Sequence, residues 1–433
     1  MKTFKQVITN LIYFFIILIP LQTRLIYKSA TIKGNYFEYG SLSLYGTELL
    51  LGLITLLSII YILISIDWSK LKKTQNKNLK RLGVFSILFG FLIVNILLSS
   101  NQEIAWQKLS WLTSAGAFIG ALLVIRPKTI NLGVAFTISA LGQSYFAIKQ
   151  FTEQKVIANK WLGMATQDPE VLGTPVVEIA DGRWLRTFGT LTGPNVLAPL
   201  LVISLFLIIY FYPKARTKRE TRFFLFSFII IALAVLTTLS KAAILALLLF
   251  SLLYSFFIRK DKILTKATTK LSLILVFILV VFTVSYPGLI TTRIIGTDRL
   301  EQHSYVERIN QYSEFGKIFQ NNWLMGTGMG NYAIELQKVK PNLEAWAYQP
   351  IHNAWLVMFA EIGIIGTLLF LISLSWLFFK KTQTTSFNYI LLVSTAFMAC
   401  FYHFWWSLWF GLIFIAFIIG FVILNHYEKT NEK

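Results

Sequence analysis

The sequence predicts an all-α protein that crosses a membrane about twelve times, and two observations support this. Of its 433 residues, 55% are hydrophobic and only 14% are charged, whereas soluble domains carry about 25% charged residues. Apolar runs recur from one end of the chain to the other, and a crossing helix needs about 20 apolar residues. The composition therefore excludes a soluble enzyme, a disordered chain and a soluble domain on a single anchor.

The apolar runs define the predicted crossing helices. Eight runs correspond to one helix each: residues 7–22, 44–66, 82–99, 109–125, 130–148, 196–212, 271–286 and 353–379. Two longer runs, 223–258 and 389–424, hold 36 residues each. A helix of that length measures ~54 Å, whereas the bilayer core is ~30 Å thick. Each long run is therefore predicted to be a helical hairpin, the first broken at residues 237–241 and the second at 403–406.

Basic residues indicate the orientation in the membrane. The short connections at residues 70–81, 216–222 and 259–270 are rich in Lys and Arg, and such connections stay on the cytoplasmic side. The net charge of +20 is therefore a signal of orientation rather than of nucleic-acid binding. We expect a multi-pass protein of the cytoplasmic membrane, with both termini in the cytoplasm and the first helix retained.

This topology divides the chain into five regions. They are an N-terminal five-helix membrane region (1–148), a large extracytoplasmic loop (149–193), a central four-helix region (194–286), a second large extracytoplasmic loop (287–351) and a C-terminal three-helix region (352–433). Because both large loops lie outside, we expect the chemistry at the outer face. Most tryptophans also fall near that side, either as an aromatic belt or as surfaces on which sugars stack.

Cysteine and histidine usage gives no sign of a metal site. The only cysteine is Cys400, and the four histidines are far apart in the sequence. Structural zinc sites need closely spaced cysteine and histidine ligands. No metal and no other cofactor is therefore expected.

The second large loop carries the first group of candidate residues. Tyr305, Ile309, Tyr312 and Phe319 share one helical face with Arg308 on its flank, which predicts an amphipathic helix at the membrane surface. A glycine-rich turn at residues 326–332 follows. Its backbone amides either cradle an anion or merely belong to a flexible connection.

A histidine stands where the next membrane helix begins. His352 lies in the first turn of that helix, at the outer face, where the positive end of the helix dipole keeps an imidazole neutral and able to accept a proton. A helix-capping role is the alternative. Glu361 falls on the opposite side of the helix, so we expect it to contact a neighbouring helix, with Gly363 and Gly366 allowing close packing.

The remaining candidates come from the first large loop and the first hairpin. Pro194 after Gly193 marks the start of a helix at the outer face, and Arg186 precedes it, so an anion could bind at this helix end. Lys241, at the tip of the hairpin, adds a further basic group. The alternative for Lys241 is a lysine that only anchors the helix at the interface.

Together these residues resemble a known superfamily. The block His352-Asn353 with Trp355-Leu356, followed by Glu361-Ile-Gly363-Ile-Ile-Gly366, resembles the signature of the O-antigen ligase and Wzy-type O-antigen polymerase superfamily. The features that precede this block also fall in the family's order: Gly193-Pro194-Asn195, Ser240-Lys241, Arg308 and the turn Gly326-x-Gly328-x-Gly330-Asn331-Tyr332.

The resemblance implies a GT-C-like glycosyltransferase that works without a metal. The donor would be a glycan on a polyprenyl diphosphate such as undecaprenyl diphosphate, and the acceptor a hydroxyl of a sugar, lipid or protein. It implies that His352 is the general base or orients the acceptor, and that Arg308 binds the donor diphosphate. The residues that it implies in substrate binding are Arg186, Asn195, Lys241, Tyr332 and Asn353. Where this chain has Lys241 the family commonly has arginine, and a lysine lacks the bidentate fork.

Several functions remain open at this stage. A polymerase of repeat units, with a partner that sets chain length, is slightly favoured over a ligase of finished glycan. More distant enzyme alternatives are a peptidoglycan-type polymerase and a metal-dependent transferase, for which Glu38 and Glu48 alone supply no acidic pair. From another class, an exporter of lipid-linked glycan would place its ionisable groups near the bilayer midplane, whereas here they gather at outer helix ends.

Overall fold

The computed structural model describes residues 1–65, 75–296, 299–378 and 385–431, and helices dominate these residues. In chain order the helices are α1 (Lys2–Leu18), α2 (Gly46–Ser65), α3 (Gln75–Leu97), α4 (Gln102–Ile125), α5 (Thr129–Glu153), α6 (Pro194–Phe211), α7 (Lys218–Thr237), α8 (Lys241–Ile258), α9 (Lys262–Ser285), α10 (Pro287–Ile295), α11 (Arg299–Asn322), α12 (Tyr332–Val339), α13 (Ala354–Phe378), α14 (Ser386–Ala399), α15 (Phe404–Ser407) and α16 (Trp409–Asn431). The predicted helix ends at residues 66 and 379 and the basic residues 70–73 lie outside the described residues.

The structure is that of an all-α multi-pass membrane protein. Among the described residues, eight helices are long and apolar enough to cross a bilayer: α2, α4, α6, α7, α8, α9, α13 and α16. α3 and α14 contain the shorter apolar stretches Gly83–Leu97 and Ser386–Ala399. Every predicted crossing run coincides with a helix, but the total of twelve crossings and the GT-C-like arrangement stay predictions.

Both long runs form the hairpins that their length predicts. α7 ends at Thr237 and α8 begins at Lys241. Between them, Leu239 has a φ of 50°, and Ser240 caps α8 by accepting a hydrogen bond from the backbone N–H of Ala243. In the second run, α14 ends at Ala399 and the single turn α15 precedes α16. This second break therefore extends over residues 400–408, beyond the predicted 403–406.

Two helices form the centre of the bundle. In the apolar windows of α6 and α16, 89% of the residues are buried inside the protein, against 17% in α9. A helix that is apolar on all sides must be surrounded by other helices or by lipid. The buried fractions show that α6 and α16 are surrounded by other helices, whereas α9 lies mostly at the surface of the bundle. Phe136 of α5 stacks on Phe414 at 5.4 Å and on Phe417 at 4.6 Å. Each such ring pair adds about 0.5–1.5 kcal/mol beyond the burial of its area.

Three connections meet at one end of this bundle, which we call the loop face: residues 19–45, 154–193 and 286–353. α1, α5 and α9 all end there, because successive long helices alternate in direction. Ring contacts join the first connection to the third, with Phe37 lying 6.3 Å from Tyr348. Two of the three connections are predicted as large loops. The first one is a folded segment that the sequence pattern does not predict.

Small antiparallel sheets stiffen the loop face. β1 (Arg24–Lys28) pairs with β4 (Leu42–Tyr45), β2 (Thr31–Ile32) pairs with β3 (Asn35–Tyr36), and β5 (Val176–Ile179) pairs with β6 (Gly182–Leu185). β5 packs against α10. The two-residue turn between β2 and β3 has positive φ at both Lys33 and Gly34, the geometry that matches the twist of a hairpin.

Candidate active site

A cavity of about 670 Å³ opens at the loop face, within the usual size of ligand pockets. All three connections and the turn before α15 contribute to its wall. Its polar and aromatic lining residues include Tyr36, Glu38, Tyr39, Arg186, Asn195, His303, Glu307, Trp346, Tyr348, His352, Tyr402 and His403. Of the residues that the sequence predicts for the site, three line this cavity, namely Arg186, Asn195 and His352.

Asn353 fixes the position of His352 at the start of α13. Its side-chain Oδ1 accepts hydrogen bonds from the backbone N–H groups of Trp355 at 3.0 Å and Leu356 at 3.2 Å. These are the bonds of a helix N-cap, which satisfy donors that have no partner inside the helix. Asn353 therefore positions its neighbour His352, and its amide does not line the cavity.

Gln311 of α11 determines the tautomer of His352. Its side-chain Oε1 accepts the backbone N–H of His352 at 3.2 Å and lies 2.9 Å from the Nδ1 atom of the same residue. A backbone N–H can only donate, so the Gln311 atom is an acceptor and Nδ1 must carry a proton. In a neutral imidazole the other nitrogen, Nε2, then holds a lone pair. The ring lines the cavity, and this lone pair is the feature a general base needs.

The surroundings of His352 keep it neutral. Burial, and next the positive charge of Arg308, lower the pKa of His352 from its ordinary 6.5 to about 4. Both causes disfavour the imidazolium. At neutral pH the ring is therefore unprotonated at Nε2 and able to take a proton.

Two half-buried guanidinium groups lie beside the tip of the α7–α8 hairpin. Arg186 donates through Nε to the carbonyl oxygen of Thr238 at 3.0 Å and through Nη2 to Asn195 Oδ1 at 2.9 Å. Arg293 of α10 donates through Nε to the carbonyl oxygen of Leu239 at 3.0 Å. Burial lowers the pKa of Arg186 to about 10 and that of Arg293 to about 9. Both stay charged at neutral pH.

Arg308 completes the cationic group. It lies on the stripe of α11 that faces the protein, and its charge lowers the pKa values of Arg186, Arg293 and His352. Arg308 does not line the cavity itself. Within the part of the chain that the structure describes, it has no hydrogen-bond or ion-pair partner. We call Arg186, Arg293 and Arg308 the arginine cluster; their charges repel one another, so the cluster favours an anion.

Only one carboxylate is paired with this cluster among the described residues. Glu301 of α11 forms ion pairs with Arg293 and with Lys241. The Lys241 Nζ lies 2.9 Å from Glu301 Oε2 and 2.9 Å from the hydroxyl of Tyr305. The charge of Lys241 is therefore largely compensated, whereas the arginine cluster keeps an excess of positive charge.

α11 is the helix predicted in the second loop. Three of the predicted apolar positions, Tyr305, Ile309 and Tyr312, are exposed by 44%, 69% and 55%. An opposite stripe faces the protein and contains the buried Gln311 and Ile318. α11 is thus amphipathic with an outward apolar face. Its position at a membrane surface stays a prediction.

The glycine-rich turn packs against a break in α13, and we call this contact the joint. At Gly363, α13 is broken by a φ of 64° and a ψ of −176°. The carbonyl groups that this break frees accept hydrogen bonds from the turn: Ala360 from Thr327 N at 2.8 Å, and Glu361 from Gly328 N at 3.0 Å. A Cβ atom at Gly363 would lie 2.2 Å from the carbonyl oxygen of Leu324. The amides of Thr327 and Gly328 are occupied in this way, so these two are not available to a substrate anion.

Glu361 and Tyr332 belong to the protein interior. Glu361 accepts a hydrogen bond from Trp406 Nε1 at 2.7 Å, which confirms the expected contact with a neighbouring helix. A Cβ atom at Gly366 would clash with Phe91 of α3, so the predicted close packing is confirmed as well. Tyr332 is 1% exposed in the hydrophobic core, and the structure does not bring it to the cavity.

Several cavity residues are not predicted from the sequence. His403 lies with its ring centroid 5.5 Å from that of His352, and Tyr39 lies 6.1 Å from His403. The sequence marks His403 only as a helix break, although its place on the same side as His352 could have suggested a pair. The sequence does not mark Arg293 as a site residue, because nothing in the neighbouring sequence distinguishes it from an ordinary surface arginine.

Comparison with known proteins gives a family for the central region. The family model described as O-antigen ligase matches residues 226–371, about a third of the chain. The matched region contains Lys241, Arg293, Arg308 and His352; Arg186 precedes it. No curated protein matches the chain significantly. The resemblance to the O-antigen ligase and polymerase superfamily is thereby confirmed: residues 226–371 carry the O-antigen ligase family match, which supports a role in glycan transfer during polysaccharide assembly.

Proposed function

We propose that this protein transfers a glycan from a polyprenyl-diphosphate carrier to an acceptor hydroxyl, in the loop-face cavity at the outer side of the cytoplasmic membrane. We propose further that it polymerises repeat units of a surface polysaccharide. The observation that carries this proposal is the proximity of two features: a neutral imidazole whose Nε2 has no partner among the described residues, and an arginine cluster with excess positive charge.

The arginine cluster suits the leaving group. When the bond between the anomeric carbon and the diphosphate breaks, the electron pair goes to the diphosphate oxygen, and negative charge grows there. Preorganised donors in a site shielded from water stabilise such charge strongly. Arg308 has no partner among the described residues, so all the N–H donors of its guanidinium group are available to a phosphate. Arg186 is held by Thr238 and Asn195 and supplies a fixed positive charge.

His352 suits the acceptor. Its Nε2 takes the proton of the attacking hydroxyl while the acceptor oxygen forms its bond to the anomeric carbon. One bond forms and one breaks, the proton moves to His352, and the polyprenyl diphosphate leaves with the electron pair. A base positioned in this way contributes about 10²- to 10⁴-fold to a rate. The hydrogen bond from Nδ1 to Gln311 keeps the ring in the productive tautomer.

The exposed apolar face of α11 supports a site next to the membrane. Tyr305 and Ile309 are exposed on this face, and Lys241 hydrogen-bonds to the Tyr305 hydroxyl. Amphipathic helices bury such a face in the interfacial part of a bilayer. A polyprenyl chain could then stay in the membrane while its diphosphate reaches the arginine cluster.

A glycan ladder tests the proposal in cells. Cells that lack the protein are analysed by gel electrophoresis of their surface polysaccharide, with wild-type protein or His352→Ala supplied from a plasmid. We expect only single repeat units on the acceptor without the protein or with His352→Ala, and restored long chains with wild type.

The other outcomes separate the alternatives. Full-length glycan that remains on its lipid carrier would replace the polymerase with a ligase. Long chains that are lost without the protein but restored as fully by His352→Ala as by wild type would contradict the enzyme and favour an exporter of lipid-linked glycan. Equal amounts of both proteins in the membrane, checked by immunoblot, exclude a loss caused by poor expression.

A further inference from the structure

We propose that His403 and Tyr39 form the binding site for the acceptor sugar, with His403 accepting a hydrogen bond from a second hydroxyl of the sugar whose first hydroxyl is deprotonated by His352. This inference rests on the proposed function and adds to it the residues that select the acceptor. Neither residue belongs to the arginine cluster or to the family match at residues 226–371.

The surroundings of His403 allow the tautomer that this role requires. Its Nδ1 lies 2.6 Å from the hydroxyl oxygen of Ser407, and that hydroxyl lies 3.1 Å from the backbone carbonyl oxygen of His403, to which it can donate. With the Ser407 proton donated to that carbonyl, the Ser407 oxygen accepts from Nδ1, and Nε2 of His403 holds a lone pair.

In this tautomer His403 presents the same chemistry as His352. In the described part of the chain, neither Nε2 atom has a hydrogen-bond partner, and both rings line the cavity. The ring centroids are 5.5 Å apart and the planes meet at 81°. Burial, and next the neighbouring His352 and Lys108, hold the pKa of His403 well below its ordinary range. Two neutral acceptors side by side match two hydroxyl groups of one sugar ring.

Aromatic surface accompanies this pair of acceptors. The ring of Tyr39 lies 6.1 Å from His403, and its hydroxyl bonds to none of the described residues. Trp346 also lines the cavity and is 70% exposed. Binding pockets combine apolar and aromatic walls with a few placed polar groups, and sugars offer both an apolar C–H face and donor hydroxyls. The wall of Tyr39, Trp346 and His403 therefore fits a neutral saccharide.

The groups around the two histidines indicate different positions for the two substrates. The charge of Arg308 acts on His352, whereas the titratable groups that act on His403 are His352 and Lys108. His352 thus lies next to both the arginine cluster and the His403–Tyr39 site. A diphosphate on the first and a sugar on the second would place the reacting atoms beside His352.

Direct binding tests this assignment without the need for transfer. The probes are inorganic pyrophosphate, for the arginine cluster, and the repeat-unit oligosaccharide released by mild acid from the cell's own lipid-linked glycan, for the acceptor site. Purified protein in lipid nanodiscs is titrated with each probe by calorimetry. We expect His403→Ala and Tyr39→Ala each to weaken oligosaccharide binding about tenfold, as for the loss of one good hydrogen bond or ring contact, and to leave pyrophosphate binding unchanged.

Two controls sharpen the result. Arg308→Ala should show the reverse pattern, with pyrophosphate binding lost and oligosaccharide binding kept. Tyr27→Ala removes an exposed tyrosine of the same connection as Tyr39, outside the cavity lining, and should change neither affinity. Retained pyrophosphate binding also shows that the His403 and Tyr39 variants are folded.

The outcomes distinguish the inference from the proposed function. Wild-type oligosaccharide affinity in both His403→Ala and Tyr39→Ala, or an equal loss in Tyr27→Ala, would overturn the acceptor site. If wild type binds the oligosaccharide but not pyrophosphate, the acceptor site stands and the proposed donor site falls. If it binds pyrophosphate but not the oligosaccharide, the acceptor site is contradicted and the donor site is supported.

Discussion

At the scale of single residues, the environment of His352 explains why it can act as a base. Burial and the positive charge of Arg308 both disfavour the protonated, cationic form of the imidazole. Gln311 fixes which nitrogen is protonated. Both effects come from residues 41 and 44 positions earlier in the chain, brought there by the packing of α11 on α13.

The lowered pKa of His352 predicts the pH dependence of transfer. The neutral ring is the active form, so activity is lost only as pH falls through the folded-state pKa of about 4, instead of through 6.5. Gln311→Glu would place a negative charge beside the ring and raise its pKa. We therefore expect the acidic limb of kcat/KM to move upward by at least one pH unit in that variant.

The control for this prediction is Gln320→Glu. It makes the same substitution on the exposed side of α11 and should leave the pH profile as in wild type. An acidic limb near pH 6.5 in wild type, or no shift in Gln311→Glu, would speak against His352 as the titrating base.

Arg308 should require its guanidinium group as well as its charge. A lysine keeps the charge but loses the bidentate fork, so Arg308→Lys is expected to lower the transfer rate at least tenfold, and Arg308→Ala to abolish it. Arg299→Lys, an exposed arginine at the start of the same helix, is the matched control. Rates equal to wild type in Arg308→Lys, measured at equal protein amounts in nanodiscs, would remove the diphosphate role.

The sequence predicted part of the site for identifiable reasons. His352 and Arg186 stand next to helix starts, which local patterns reveal. Arg293 and His403 enter the site through tertiary contacts alone, Arg293 through the carbonyl group of Leu239. Tyr332 follows a motif that suggested substrate binding, yet it is buried in the core. Proximity in sequence to a motif does not determine on which side of an element a residue lies.

At the scale of elements, the joint between the glycine-rich turn and α13 links the two sequence motifs. Gly363 breaks α13, and the turn satisfies the carbonyl groups that the break frees. Asn95 of α3 also bonds to both parts, donating to the carbonyl oxygens of Met325 at 2.7 Å and Glu361 at 3.1 Å. The pattern of apolar residues predicted one uninterrupted helix here, because a kink leaves hydropathy unchanged.

The joint predicts a strong effect of a small substitution. Gly363→Ala would force an alanine to a φ of 64° and its Cβ to within 2.2 Å of the Leu324 carbonyl oxygen. We expect a loss of stability of at least about 2 kcal/mol, measured as a lower thermal midpoint in detergent. Gly116→Ala in α4, where a Cβ atom meets nothing within 4 Å, is the control and should not lower it. Equal midpoints for both variants would contradict the joint.

At the scale of the whole molecule, hydropathy predicted the long helices and the two hairpins. A long apolar segment in a membrane must form a helix, because lipid offers no hydrogen-bond partners and the backbone has to satisfy its own groups. The folded connection at residues 19–45 could not be predicted in this way. Its strands are two to five residues long, and β1, β2 and β3 are exposed or half-buried, so they leave no periodic pattern. The 3-10 turn Glu38–Gly40 between β3 and β4 supplies Tyr39 to the cavity.

The orientation of the molecule gives a prediction at this scale. Cys400 is the only cysteine, so Cys400→Ser provides a background for single cysteines. With a membrane-impermeant maleimide, we expect Lys160→Cys, exposed on the loop face, to react in intact spheroplasts. Arg219→Cys, exposed at the start of α7, should react only after permeabilisation. The reverse pattern would place the cavity in the cytoplasm and contradict a site at the outer face.

The most direct test of the account is transfer by His352→Ala in a purified system. Wild type and variant are reconstituted in nanodiscs with lipid-linked repeat units, and both the product formed and the binding of pyrophosphate are measured. The account predicts that His352→Ala loses transfer by at least about a hundredfold and binds pyrophosphate as tightly as wild type. Transfer at the wild-type rate in His352→Ala would contradict the role of His352 as the base and with it the proposed mechanism.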